Sequence, residues 1–351
     1  MRRVSRIALA TAATAALAVS ATACGGTSSD AAKSEDGGKS KGVAIAYDVG
    51  GKGDQSFNDA ATAGMDKAAK DLKVGSKAVE PTDGESDADK VQRLTELAKQ
   101  GYNPVIGVGY AYAPAVKEVA EKNPKVTFGI VDDATIDADN VADLVFNEEQ
   151  SSYLAGVAAA KATKTKIVGF VGGVDNPLIR KFEAGFVQGV QDTDKSVKVK
   201  RQFLTDKAED GGFSSPDKGK EAASGQIEGK ADVVYHAAGL SGQGVIEAAA
   251  AKKVWAIGVD SDQYKQKPLA KYKKYILTSA TKDVAGAVYN LVKSVKDGKA
   301  EGGVVRADLK SGGVGLADSN PEFKNMKDLQ AELKKAEQGI TSGKIKVKTT
   351  L

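Results

Sequence analysis

Three aspartates stand directly after apolar, β-branched runs that read as buried strands: Asp48 after VAIAY, Asp132 after VTFGIV and Asp260 after VWAIGV. A fourth run, DVVYH (232–236), leads into AAGLSGQG. Glycines there allow close backbone approach and present N–H groups at a helix start. A lone aspartate after a strand commonly caps a turn or the next helix. Three of them, two early and one late in the chain, favour convergence on one cleft. Carboxylates gathered in this way accept hydrogen bonds from the hydroxyls or amines of a small polar ligand. Lys282 precedes a predicted helix over 283–297, where a cation meets the unfavourable end of the helix dipole. Neutralising part of a carboxylate cluster would be a reason for it to stand there.

Enzymatic chemistry has little to build on. The 351 residues include one His and one Cys, which excludes an internal disulfide framework and makes thiolate or imidazole metal sites improbable. His236 is the only candidate imidazole base, and it ends a strand, where a structural role is commoner. GLSGQ (239–243) misses the nucleophile elbow G-x-S-x-G, with Gln243 where glycine is required. No enzyme, metal or cofactor is expected.

The elements that position these residues alternate. Strand 43–47 leads to a helix beginning near Ser56, read as its cap with Asp59 three residues on. Phe57, Ala60, Ala61, Gly64, Met65, Ala68 and Leu72 form its apolar face. Helix 89–99, strand 105–109, a helix from Pro114, strand 126–131, a strand near 143–146 and helix 148–162 follow. A second series runs through strands at 167–173, 197–203, 232–236, 254–259 and 276–280, with helices 178–191, 217–228 and 242–252. Helix 283–297, strand 304–309 and a late helix 321–338 complete the chain. Alternation of this kind gives parallel sheets covered by helices, and two series give two doubly wound lobes. Ligands of such sheets bind beyond the carboxyl ends of strands.

The N-terminus reads as an export signal: basic MRRVSR, apolar IALATAATAALAV, then small residues before Cys24. The single Cys at the cleavage point resembles a bacterial lipobox, although Ala21 stands where Leu, Val or Ile is usual. Lipidation there would anchor the chain, since each buried CH₂ contributes roughly 0.8 kcal/mol. Residues 24–42, rich in Gly and Ser and without apolar periodicity, read as a flexible tether. Formal charge is +4, from 50 basic and 46 acidic side chains. Removal of Arg2, Arg3 and Arg6 with residues 1–23 leaves 47 against 46, or +1, and no case for nucleic-acid binding.

The segment YDVGGKGDQSFNDAATAGMDKA resembles the opening of the basic membrane protein family, substrate-binding lipoproteins of ABC transporters whose best understood members bind purine nucleosides. The likeness continues through FGIVDDATIDADNV, FNEEQSSYLAGVAAA, VGFVGGVDNPLIRKFEAGFVQGV, VVYHAAGLSGQGVIEAA, AIGVDSDQ and ILTSATKDVAGAV. It implies an α/β, type I periplasmic-binding-protein fold with two lobes joined by a hinge. The expected lobes are 43–163 plus about 281–300, and 164–280 plus about 301–351. Chain crossings are expected near 160–166, near 280 and after helix 283–297.

Matched residue by residue, the family implies that Phe57 and Phe213 sandwich the base. Asp132 accepts from the base edge, with Asp133 as the neighbouring alternative. Asp48, Asp54, Gly239, Asp260 and Lys282 form the ribose-side set; the family often has Asn where Asp54 stands. Asn58 belongs to the same motif and serves either the ligand or the loop. The chemistry fits, since a base offers two flat faces for aromatic stacking, worth roughly 1–3 kcal/mol each. The implied protein is a monomer on the extracytoplasmic face of the cell membrane. It would deliver a purine nucleoside to permease and ATPase subunits. The alternative is a sugar-binding or ligand-sensing surface lipoprotein without a transport role.

Overall fold

The computed structural model describes residues 40–82 and 84–351. The expected signal sequence, Cys24 and most of the expected tether lie outside the described residues. From the start of the described chain run β1 (Gly42–Ala46), α1 (Phe57–Leu72), β2 (Gly75–Val79), α2 (Asp87–Lys99), β3 (Val105–Gly107), α3 (Ala113–Lys122), β4 (Phe128–Val131) and β5 (Val141–Phe146). Then come α4 (Glu148–Ala162), β6 (Ile167–Val174), α5 (Pro177–Thr193), β7 (Lys198–Thr205), α6 (Pro216–Glu228), β8 (Val233–Ala237), α7 (Gly242–Lys252), β9 (Trp255–Asp260) and β10 (Ile276–Lys282). The chain ends with α8 (Val284–Lys296), β11 (Gly303–Ala307), β12 (Val314–Leu316), α9 (Pro321–Asn325) and α10 (Lys327–Thr341).

Two six-stranded sheets result, ordered β11-β5-β4-β3-β1-β2 and β12-β10-β9-β8-β6-β7. Pairing is parallel except for β10 with β12. The first five strands of each lobe repeat one order, so the strand direction of winding reverses between β1 and β3 and between β6 and β8. These are the crevices where such sheets bind ligands. Central strands β1, β4, β5 and β8 are buried along their whole length, as helices on both faces require. The doubly wound, two-lobed α/β fold expected from alternation is the one observed.

Its chain crossings differ from those expected. Helix 148–162 was assigned by sequence to the first lobe, yet α4 packs in the core of the second. Tyr153, Leu154, Val157 and Ala158 join Phe170, Phe182 and Phe186. Contact with α5 is backbone to backbone. A Cβ on Gly156 would strike the Phe186 carbonyl, and Cβ atoms on Gly185 and Gly189 would strike the carbonyls of Glu149 and Tyr153. Helices this close cannot be parted by a lobe boundary, so the first crossing falls at Asn147. The second falls after Lys282, close to expectation. Strand β11, expected in the second lobe, pairs with β5 in the first sheet, so the last crossing lies between Ala307 and Val314 rather than near 300. The expected late helix is two, α9 and α10, broken at Met326.

The start of α1 is also built differently. Ser56 makes no capping bond to the helix. Asp54 does that work: its carboxylate accepts from the N–H groups of Ser56 (2.9 Å), Asn58 (2.8 Å) and Asp59 (3.1 Å). A full negative charge suits the positive end of the helix better than a hydroxyl. Asp59 faces back to accept from the N–H groups of Gly53 and Gln55.

Candidate functional site

A small cavity, about 50 Å³, lies between the carboxyl ends of the two sheets. Asp48, Asp54, Phe57, Asn58, Asp132, Phe213, Gly239, Asp260 and Lys282 all line it. The first lobe supplies Asp48 after β1, Asp54, Phe57 and Asn58 at the start of α1, and Asp132 after β4. The second supplies Phe213 from the loop before α6, Gly239 after β8, Asp260 at the end of β9 and Lys282 at the end of β10. Strand ends as much as 234 positions apart, from Asp48 to Lys282, meet because both sheets point their carboxyl edges at one cleft.

Lys282 is the centre of charge. Its Nζ is 2.6 Å from Asp132 Oδ2 and 3.5 Å from Asp260 Oδ1, with all three side chains nearly buried. The same ammonium lies 4.6 Å from the centroid of the Phe57 ring, 5.5 Å from Phe182 and 5.6 Å from Phe146. Aromatic faces favour a cation there. Burial alone would push the ammonium down, but Asp132, Asp260 and Glu148 together hold it above its ordinary value. Asp132, expected at the base edge, is in direct contact with Lys282 of the expected ribose-side set. Asp133 turns away: its carboxylate accepts from the N–H and hydroxyl of Thr135 in a local turn.

Unpaired acceptors remain. Asp132 Oδ1 and Asp260 Oδ1 are buried and accept no hydrogen bond among the described residues. Asp260 Oδ2 accepts from Ser56 Oγ at 2.6 Å. Asp132 and Asp260 both lie in left-handed backbone, at φ 68° and 61°. Residues with a Cβ occupy that region at a cost, one that aspartate bears more readily than most. Burial pushes Asp132 up to about 6, with Lys282 pulling against it. Burial pushes Asp48 up to about 7, against the opposing bond from the Val49 N–H. Asp54 is pushed up to about 6 by burial despite its three backbone donors.

Asn58 braces the loop. Its Oδ1 accepts from the Asp48 N–H at 3.1 Å and so orients the Asp48 backbone. Asp54, with its oxygens committed to the helix start, shapes the loop that carries Phe57. Gly109 after β3 lets Asp48 approach, because a Cβ at Gly109 would collide with Asp48 Oδ2. Gly239 is at φ 51° with its Cα packed against Phe213. Sequence reasoning missed Tyr110, Leu178, Ile179 and Phe182, which also line it. The last three read as the core face of a helix and Tyr110 as the turn before one; the clue was that α3 and α5 follow strands flanking a reversal of winding, β3 and β6.

Ser241 Oγ accepts from the Ser215 N–H, while His236 faces Gln263 at 3.0 Å. These two side chains, the only candidates the sequence offered, form no nucleophile–base pair.

Two doubly wound lobes closed on a cavity of acceptors, aromatic rings and one ammonium define a two-lobed solute-binding protein. The chain belongs to the Bmp family: residues 41–350 match the family described as ABC transporter substrate-binding protein PnrA-like. It is an ABC transporter substrate-binding protein and not an enzyme. A Lactococcus lactis protein named ABC transporter nucleoside-binding protein BmpA is 38% identical over 87% of this chain and 88% of its own. A Pyrococcus horikoshii protein named an uncharacterized lipoprotein is 35% identical over 80% of this chain and 70% of its own. The solved structure of an ABC transporter solute-binding protein from Aeropyrum pernix superposes with a TM-score of 0.76 at 29% identity, covering 88% of this chain and 93% of that one. Among the described residues no helix is long and apolar enough to cross a membrane.

Proposed function

We propose that the protein captures a purine nucleoside between its lobes and delivers it to the permease and ATPase of an importer. Membrane anchorage would come through lipidated Cys24. The observation that carries the ligand reading is the Asp132–Lys282–Asp260 cluster beside Phe57 and Phe213 in one inter-lobe cavity. Vicinal hydroxyls are donors at fixed separation, and two buried carboxylates with free oxygens accept from them. Each charge-assisted bond contributes about 1.5–3 kcal/mol. An ammonium between them supplies a donor for a ring oxygen or hydroxyl. The name of the Lactococcus relative supports the same ligand class.

The Lys282 contact supports reading Asp132 as part of the hydroxyl clamp, with Asp48 left to meet the base edge. With its pKa raised to about 7, Asp48 is present in both protonation states near neutrality. Its protonated form donates to the N1 of adenine, and its ionised form accepts from the N1–H of hypoxanthine or guanine. Both amino and oxo purines therefore fit the reading. Stacking on Phe57 competes with the ammonium now over that ring, so ligand binding draws Lys282 toward Asp260.

Thermal-shift screening against nucleosides, free bases and sugars tests this reading. It expects purine nucleosides to raise the melting temperature, with bases and ribose far weaker. A shift by a pyranose and none by any nucleoside would replace it with the sugar-binding reading. For the anchor, Cys24→Ala should abolish acylation detected by mass spectrometry. A wild-type N-terminus without acyl chains contradicts that part alone.

A further inference from the structure

The loop that opens α1 reaches across the cleft. Ser261 Oγ donates to the Gln55 carbonyl at 2.7 Å, and Gln263 Nε2 donates to the same carbonyl at 3.2 Å. Ser56 Oγ donates to Asp260 Oδ2 at 2.6 Å. Residues 55 and 56 are first-lobe, and residues 260–263 are second-lobe. Gln55 has φ 52°, a conformation that costs a residue with a side chain and that turns its carbonyl to the opposite lobe. Such bonds tie the two lobes together in this structure.

The second-lobe half of this contact is built from inside. Gln263 is fully buried. Its N–H donates to Ser279 Oγ on β10 at 3.1 Å, and its Oε1 accepts from the Val259 N–H at 3.2 Å. The Val259 donor settles which end of the amide faces His236, whose Nε2 is 3.0 Å from the same Oε1. An acceptor there needs a donor opposite, so the imidazole carries its proton on Nε2. Burial pushes His236 down to about 4 and keeps it neutral, with one N–H to give. With both partners donating to Oε1, Nε2 of Gln263 is left to point at Gln55.

We infer that Ser261 and Gln263, the latter oriented by His236, form a clasp on the Gln55 carbonyl that holds the lobes closed. Ser56 carries the clasp into the site by fixing Asp260. His236 and Gln263 are then positioning residues: they act on the ligand through the closed state. This rests on capture of a ligand between the lobes. A clasp present in the empty protein acts on entry as well as escape, so loosening it shortens the ligand's residence time and does not slow its arrival.

Small-angle scattering of the ligand-free protein and the association and dissociation rates of inosine, measured by surface plasmon resonance, test it together. Ser261→Ala removes one clasp donor at a half-buried position with little risk to folding. Gln263→Met, which also strands His236, is the stronger variant. Ser261→Ala should raise the dissociation rate about threefold to tenfold, the effect of one net hydrogen bond, with no fall in the association rate. Its ligand-free radius of gyration should exceed that of wild type, and Gln263→Met should exceed it further. Scattering identical to wild type for both variants overturns the clasp, and so does a loss of affinity confined to the association rate. If wild type gives no inosine signal, the nucleoside reading fails, while the scattering comparison still decides the clasp.

Discussion

Asp132 and Asp260 occupy equivalent places in the two lobes. Each follows or ends the fourth strand of its series, each lies in left-handed backbone, and each carboxylate faces the single ammonium of Lys282. The two-fold repetition of the fold thus delivers a matched pair of acceptors from opposite walls of one cavity. A ligand group with adjacent hydroxyls would bind both only with the lobes closed.

Removing the ammonium exposes the cost of that arrangement. Lys282→Met leaves two buried carboxylates uncompensated, and breaking a buried ion pair from one side costs about 3–5 kcal/mol. Chemical denaturation of the ligand-free variant should show a loss of that order at pH 8. At pH 5 the loss should be smaller, because the stranded carboxylates take up protons. An equal loss at both pH values would show that Lys282 matters for packing alone.

The stability of the ligand-free protein should fall as pH rises from about 4 to about 7. Burial raises Asp48 to about 7 and Asp132 to about 6 from the ordinary 3.8. Across that window the folded state binds more protons than the unfolded state, so stability declines with pH. The contribution is complete below the ordinary value and lost as pH passes through the raised ones. Asp48→Asn should flatten the upper part of the profile between pH 6 and 7. Thermal melts from pH 4 to 8 read this directly, and a rise in stability across the window would contradict it.

Ligand binding favours ionised Asp132, so it should release protons near pH 6. Calorimetry of inosine binding in buffers of different ionisation enthalpy measures the number. The same titrations with Asp260→Ala should show affinity weakened by about 1.5–3 kcal/mol. Asp133→Ala, which touches only the local turn, should bind as wild type. Equal losses in both variants would remove Asp260 from the clamp.

A substitution far from the cavity should separate fold from function. At Gly185 a methyl group would enter the backbone of α4. Gly185→Ala should lower stability by about 1–3 kcal/mol, the usual cost of overpacking a tight contact. Inosine affinity at a permissive temperature should be unchanged. A variant as stable as wild type would mean that α4 and α5 tolerate separation.

Much of this was legible in the chain. Strands β1, β4, β8 and β9 announce themselves as unbroken apolar runs, because a parallel sheet covered on both faces has no polar side to alternate with. Edge strand β2, GSKAV, is largely exposed and has no such run, and the three residues of β12 are too few to show a period. The side on which α4 packs was hidden because it is buried nearly all round, and only the glycines of α5 reveal its partner. At the site, residue types at strand ends identified the lining. What they could not supply was pairing across 150 positions, which put Asp132 on Lys282. Nor could they show that Asp54 caps α1 and so frees Ser56 to reach Asp260.

The central claim is that a nucleoside, held by its sugar hydroxyls as well as its base, is the ligand. Calorimetric titration of inosine, 2′-deoxyinosine and hypoxanthine into the wild-type protein tests it most directly. The account predicts saturable one-to-one binding of inosine. Loss of a single hydroxyl should weaken binding by about 1.5–3 kcal/mol, the scale of one charge-assisted bond, and the free base should bind more weakly still. Equal affinity for all three ligands would contradict the clamp formed by Asp132, Asp260 and Lys282.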